Sequence, residues 1–228
     1  MSSDLKRQPP KHHPSDDTLL RHAAGHLACG HALAVATHLP FCPMCQDAIR
    51  TDEAIGGALL AALPPTDLAP DTLTRMLARL EPPRIGRHRQ EEEILLADGV
   101  PLPDALRSIA RPNWRWVAPG VSRIVVDAPD AVEDERICLL RVAPGCRLPE
   151  HGHHGWEAAC VLAGSFSDAS GEYGPGDFAE KDVTGIDGDG LHQPIAGSNE
   201  ACICLLAWEG PLRLRGIVAR LLRPLLRL

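Results

Sequence analysis

Apolar positions recur at three- and four-residue spacing through the first third of the chain, then give way to short alternating runs. Leu19, Leu20, Ala23, Ala24 and Leu27 follow Ser15, Asp16 and Asp17, three residues suited to cap a helix. This predicts an amphipathic helix ending near Gly30. A second helix is predicted over 31–39, with Leu33, Val35, Ala36 and Leu39 apolar. From Gln46 the helical pattern continues through Ile49, Ile55, Leu59, Leu60 and Leu63, weakened at Gly56-Gly57 and stopped by Pro64-Pro65. Asp71 or Thr72 caps a last short helix with Leu73, Met76, Leu77 and Leu80 as its stripe.

The charged stretch 84–93 reads as a linker, and 101–110 as a short connecting segment. Beyond it the period shortens: 122–127, 136–142, 156–163, 164–168, 177–181 and 202–208 read as strands separated by glycine and proline turns. Many short strands so spaced predict a sandwich or barrel. Cys202 and Cys204 share a strand face, where core filling outweighs a redox role. The closing segment 211–228, rich in arginine and leucine but interrupted by Pro224, is expected to pack on the barrel rather than lie on a membrane.

A length of 228 residues allows one or two domains with a real core. Aromatic residues make up only 4% of the chain, so that core must be mainly aliphatic. A net charge of −7 argues against binding nucleic acid through phosphate contacts. No apolar run is long enough to span a membrane, and no apolar segment follows the charges near Met1, which points to a soluble, cytoplasmic protein. In a reduced compartment the eight cysteines serve better as metal ligands or core residues than as disulfides.

Two clusters carry chemistry. In the first, His38 closes the second helix, and Cys42 and Cys45 open the next one with their thiols three residues apart on one side. Two thiolates and an imidazole converging this way ask for zinc, which takes four nitrogen or sulfur ligands in closed structural sites. His13 is the first candidate for the fourth ligand and His12 the alternative. In the second, His151 and His153 alternate along a strand and Glu157 follows. Imidazoles with a carboxylate suit first-row divalent ions, zinc, iron, manganese and nickel among them.

The spacing Gly145-x5-His151-x-His153-x3-Glu157-x6-Gly164 resembles the first signature motif of the cupin superfamily. That resemblance implies a further histidine from a later strand, here His192, sixteen residues after Gly176; the turn-rich stretch 184–190 is expected to be a loop insertion. His13, followed by His38-x3-Cys42-x2-Cys45, is similar to the zinc anti-sigma domain. Both signatures in this order, with the W-R-W at 114–116 and the C-I-C-L at 202–205, resemble the ChrR-type anti-sigma factors over nearly the whole chain.

The resemblance implies a two-domain α + β protein: a zinc-binding helical bundle over 1–85, a linker over 86–110, and an all-β cupin domain of jelly-roll type over 111–228. It implies zinc held by His13, His38, Cys42 and Cys45, and a second metal, zinc or else iron, manganese or nickel, held by His151, His153, Glu157 and His192. The implied partner is an extracytoplasmic-function sigma factor, held inactive by the helical domain and released in response to singlet oxygen or organic peroxides through the cupin domain. No catalytic role is implied. The alternative is a dioxygenase-like cupin metalloenzyme with an accessory zinc domain, because the same four ligands support oxygen chemistry. Self-association is left open.

One physical feature stands beside the resemblance. Leu19, Leu20, Leu27, Leu33, Val35, Leu73, Leu77 and Leu80 are more aliphatic surface than four short helices bury among themselves, and the acidic balance complements the basic surfaces of a sigma factor.

Overall fold

The computed structural model describes residues 8–80, 94–96, 99–107, 113–153, 155–182 and 191–214. The expected linker at 84–93, the loop insertion at 184–190 and nearly all of the closing segment 211–228 lie outside the described residues.

Four helices come first: α1 (Asp16–Ala23), α2 (Cys29–His38), α3 (Pro43–Ala61) and α4 (Thr72–Ala78). Ser15 caps α1 by accepting from Thr18 N, and the acidic Asp16 and Asp17 sit in its first turn, where they complement the helix dipole. The first helix ends at Ala23 rather than near Gly30, and the second begins at Cys29 rather than His31. Cys42 caps α3, its sulfur accepting from Cys45 N. Pro43 follows in the first turn, where a missing N–H costs nothing. The glycine pair at 56 and 57 leaves α3 unbroken to Ala61.

The strands are β1 (Arg115–Ala118), β2 (Val121–Val125), β3 (Glu135–Val142), β4 (His151–Gly152), β5 (Trp156–Ala163), β6 (Phe166–Asp168), β7 (Gly171–Tyr173), β8 (Phe178–Asp182), β9 (Ile195–Ala196), β10 (Cys202–Glu209) and β11 (Arg213–Leu214). Six form one antiparallel sheet in the order β1-β2-β3-β10-β5-β8, with β11-β4 and β7-β6-β9 as smaller sheets. The large and small sheets share an inner core of Val121, Val142, Val161, Tyr173, Ala196 and Cys202. This is a jelly-roll arrangement of packed sheets; hydrogen bonding among the described strands does not run round a closed ring.

The outer face of the large sheet is also covered. Leu19, Val35, Cys45 and Ile49 from the helices form one continuous core with Ile137, Leu139, Phe178, Leu205 and Ala207 from the sheet. Helix α2 lies against β5 and β10. Strands sandwiched this way lose their alternation, and β5 and β10 are buried along nearly their whole length. Gly30, at the start of α2, marks the closest approach: a Cβ there would stand 2.8 Å from Ala207 and Ile137. The Gly30 amide donates to Glu135 Oε1 at 2.5 Å, so a buried carboxylate from the sheet caps the helix.

Candidate metal centres

The residues ahead of α1 run along the free edge of β8. Phe178 N donates to His12 O at 3.0 Å. Asp177 Oδ1 accepts from the amides of Lys11, at 2.5 Å, and His12, at 2.9 Å, while its Oδ2 accepts from Gly174 N at 2.8 Å. This places His13 over the start of α3, with Nδ1 3.4 Å from Cys42 Sγ and 3.6 Å from Cys45 Sγ. His38 completes the group, its Nε2 3.3 Å from Cys45 Sγ and its Nδ1 donating to Gly176 O at 2.6 Å. The structure therefore brings His13, His38, Cys42 and Cys45 together, with all four donor atoms within 4.8 Å of one another. His12 turns away, its Nε2 3.1 Å from Glu172 O and its ring on Tyr173.

Burial and the adjacent Cys42 push the Cys45 thiol up to about 12, and burial pulls His38 below its ordinary value. Two thiols and two imidazoles turned inward need a cation to become a settled site, because only a nearby positive charge holds buried sulfurs as thiolates. Tetrahedral nitrogen–sulfur donation is what zinc takes.

The second group sits inside the jelly roll. His151, on β4, bridges His192 through a pair of backbone hydrogen bonds, and His153 and Glu157 reach in from the loop and β5. All four are buried, and their donor atoms also lie within 4.8 Å of one another. His151 Nδ1 donates to Pro149 O at 2.8 Å, and His192 Nδ1 lies 3.1 Å from Asp168 Oδ2. His192 Nδ1 also lies 2.5 Å from Lys181 Nζ, and the Nε2 atoms of His192 and His151 face each other at 3.0 Å. His153 Nδ1, His153 Nε2 and Glu157 Oε2 have no hydrogen-bond partner, although the last two are 3.1 Å apart. Unpartnered buried polar atoms are costly in an interior; a divalent cation among these four side chains would take one donor atom from each of them.

The electrostatics agree. Burial, with His192 beside it, lowers His151 to about 4, so it is a neutral ligand at neutral pH. Burial drives Glu157 up, but His153, His192 and His151 outweigh it and hold the carboxyl below its ordinary value. Two supporting residues carried no signal in the sequence. Asp168 orients His192, and Lys181 donates to Asp168 Oδ2 at 2.8 Å. Burial raises Asp168, but Lys181, the Ser170 amide and His192 together bring it down to about 2. Above the cluster lies an apolar cavity lined by Leu140, Leu148, Phe166, Leu206 and both Cys202 and Cys204.

These features define a class: a helical unit with a cysteine–histidine donor set, joined to a cupin-type β domain with a histidine–glutamate donor set. Residues 103–211 match the family model of the ChrR cupin-like domain. The chain is 32% identical to the anti-sigma-E factor ChrR of Cereibacter sphaeroides over 222 residues, which is 96% of this chain and 99% of that protein. It is also similar to the crystal structure of Rhodobacter sphaeroides SigE in complex with the anti-sigma ChrR. That match has a TM-score of 0.67 and 30% identity, covering 87% of this chain and 99% of the other. The chain belongs to the ChrR family of anti-sigma factors.

Proposed function

We propose that this protein is a cytoplasmic anti-sigma factor that grips an extracytoplasmic-function sigma factor and keeps it from core RNA polymerase. The observation that carries this reading is the apolar surface left bare by the second half of the helical region. No residue of α4 is buried, and in α3 only Cys45 and Ile49 are. Ile55, Leu59, Leu60, Leu63, Leu73 and Leu77 are all more than half exposed. A seven-residue helix with this composition is marginal in water by itself, and so many exposed aliphatic side chains in one stretch of chain suit a protein-binding surface. Leu19 and Val35 pack against the sheet, which separates the aliphatic positions that serve the core from those that face a partner. The relative seen in complex with SigE is bound as an anti-sigma factor, which supports the same use here.

In this reading residues 1–85 form the gripping unit, 86–110 the connection and 111–228 the sensing unit. His13, His38, Cys42 and Cys45 hold zinc, which fastens the N-terminal arm to the second and third helices. His151, His153, Glu157 and His192 hold a second divalent ion. Singlet oxygen or an organic peroxide acting at this second cluster, by ligand oxidation or metal loss, loosens the grip on the sigma factor. Histidine–glutamate sites also support oxygen chemistry in enzymes, but no such activity is needed for this role. The test is co-expression of the full chain with its cognate sigma factor. The complex should co-purify, and a Leu73→Asp/Leu77→Asp chain that still folds should lose it; sigma binding undiminished by both changes would refute the proposed surface.

A further inference from the structure

The two clusters are joined by one short piece of backbone. Gly176, Asp177 and Phe178, in three consecutive positions, aim both imidazoles of the first cluster. The Gly176 carbonyl takes the Nδ1 proton of His38 at 2.6 Å and so leaves Nε2 bare toward Cys45. Asp177 and Phe178 bind the backbone of Lys11 and His12, which fixes where His13 emerges. Gly176 adopts φ +88, and a Cβ there would stand 2.7 Å from Phe41, so the turn is held tightly against the helical unit. Five residues after Gly176, at a strand rise of about 3.3 Å per residue and thus roughly 16 Å away, Lys181 meets the second cluster. It pairs with Asp168, the residue that orients His192, and sits across from Glu157 in the β5–β8 register.

We infer that the segment Gly176–Lys181 is an energetic link between the two clusters: the cupin supplies the outer hydrogen-bonding layer of the helical unit's metal site, and occupancy of either cluster changes how tightly the other holds its ion. This rests on the reading that both clusters bind metal. Outer-layer partners fix ligand orientation and basicity, and losing one weakens metal binding by about 10- to 100-fold. Asp177 is thus a positioning residue, acting through His13. Coupling between two binding sites is reciprocal, so a link of this kind operates in both directions. Non-additivity of two perturbations is the signature of such a link.

The experiment uses the full chain loaded with cobalt. Thiolate–cobalt absorption reports the first cluster alone, because the second has no sulfur among its four donors. Release to a chelator is timed in the parent, in Asp177→Asn, in His153→Ala, which empties the second cluster, and in the double variant. We expect Asp177→Asn to speed release from the first cluster by about 10-fold, with the metal of the second retained. His153→Ala should speed the same release by at least about 5-fold. In the double variant that second effect should disappear. Should Asp177→Asn fail to fold, Lys181→Met takes its place: it lies far from the thiols and should speed release in the same direction. Release changed less than about 2-fold by His153→Ala, or effects that multiply independently in the double variant, would overturn the link. A parent chain lacking thiolate–cobalt absorption would instead overturn the metal reading beneath it.

Discussion

The two clusters are built on opposite plans. The first gathers its donors from an extended arm, the end of α2 and the start of α3, and depends on a neighbouring sheet to aim its imidazoles. The second takes all four donors from within the jelly roll, where all four are buried, with Asp168 and Pro149 as its own support. A site assembled from separate segments staples those segments together, and its ion contributes directly to folding. A site inside a stack of sheets that pair without it adds less to stability and is freer to change state. The difference suits a structural role for the first and a sensing role for the second.

The largest expected effect tests this contrast. Cys45→Ala should remove one metal equivalent and destabilise the chain by more than ~3 kcal/mol, whereas His153→Ala should remove the other equivalent at a much smaller cost; elemental analysis with thermal unfolding reads both. Equal losses from the two variants would erase the distinction. Next, Leu73→Asp with Leu77→Asp should weaken sigma binding by about 100-fold, on the order of 3 kcal/mol, with the melting temperature unchanged, as titration calorimetry would report.

Smaller again is the seam between the halves. Glu180 accepts from Ser15 N and from the Thr18 hydroxyl, and lies 3.7 Å from His31. Burial raises this carboxyl, but His31, Ser15 and Thr18 outweigh it and bring it from 4.5 down to about 2. A carboxyl lowered on folding stabilises the folded chain above its unfolded value. That contribution is therefore complete above about pH 5 and fades as the pH falls from about 4.5 toward 2. Glu180→Gln should cost about 1 to 2 kcal/mol at pH 7 and flatten the acid limb of a stability–pH curve, a shape that chemical denaturation would resolve. The smallest effect separates two neighbouring histidines. His12→Ala should lose less than about 1 kcal/mol and keep both metals, while His13→Ala releases the first.

The centre of each donor set was legible in the sequence because its spacing is local: H-x-H, expected along one strand, has its second histidine just past the end of β4 yet still turned to the same cluster, and C-x2-C at a helix start puts both thiols on one side. His192 was legible only through resemblance, since nothing near it in the chain marks its convergence on His151. Asp168, Lys181, Asp177 and the Gly176 carbonyl were illegible for the same reason, their roles existing only across contacts between residues 11 to 166 positions apart. Helix extents differed from the sequence reading in two places. The Gly56-Gly57 pair, read as a weak point, stays helical within a long capped α3, and α2 starts two residues early because Glu135 caps it from a distant strand. Strand β10 was read over 202–208 and is buried on both faces because α2 covers the side that would otherwise meet water.

That covering has a consequence for the order in which the molecule matures. Strand β10, at 202–209, is inserted between β3 and β5, so the large sheet is completed only after almost all of the described chain has been made. The helices emerge first in synthesis, yet the surface that α2 rests on arrives last, and such long-range closures are slow. During that interval the inner side of α2 has no wall to lie against, and the newborn front end is at its most vulnerable to proteases and chance aggregation.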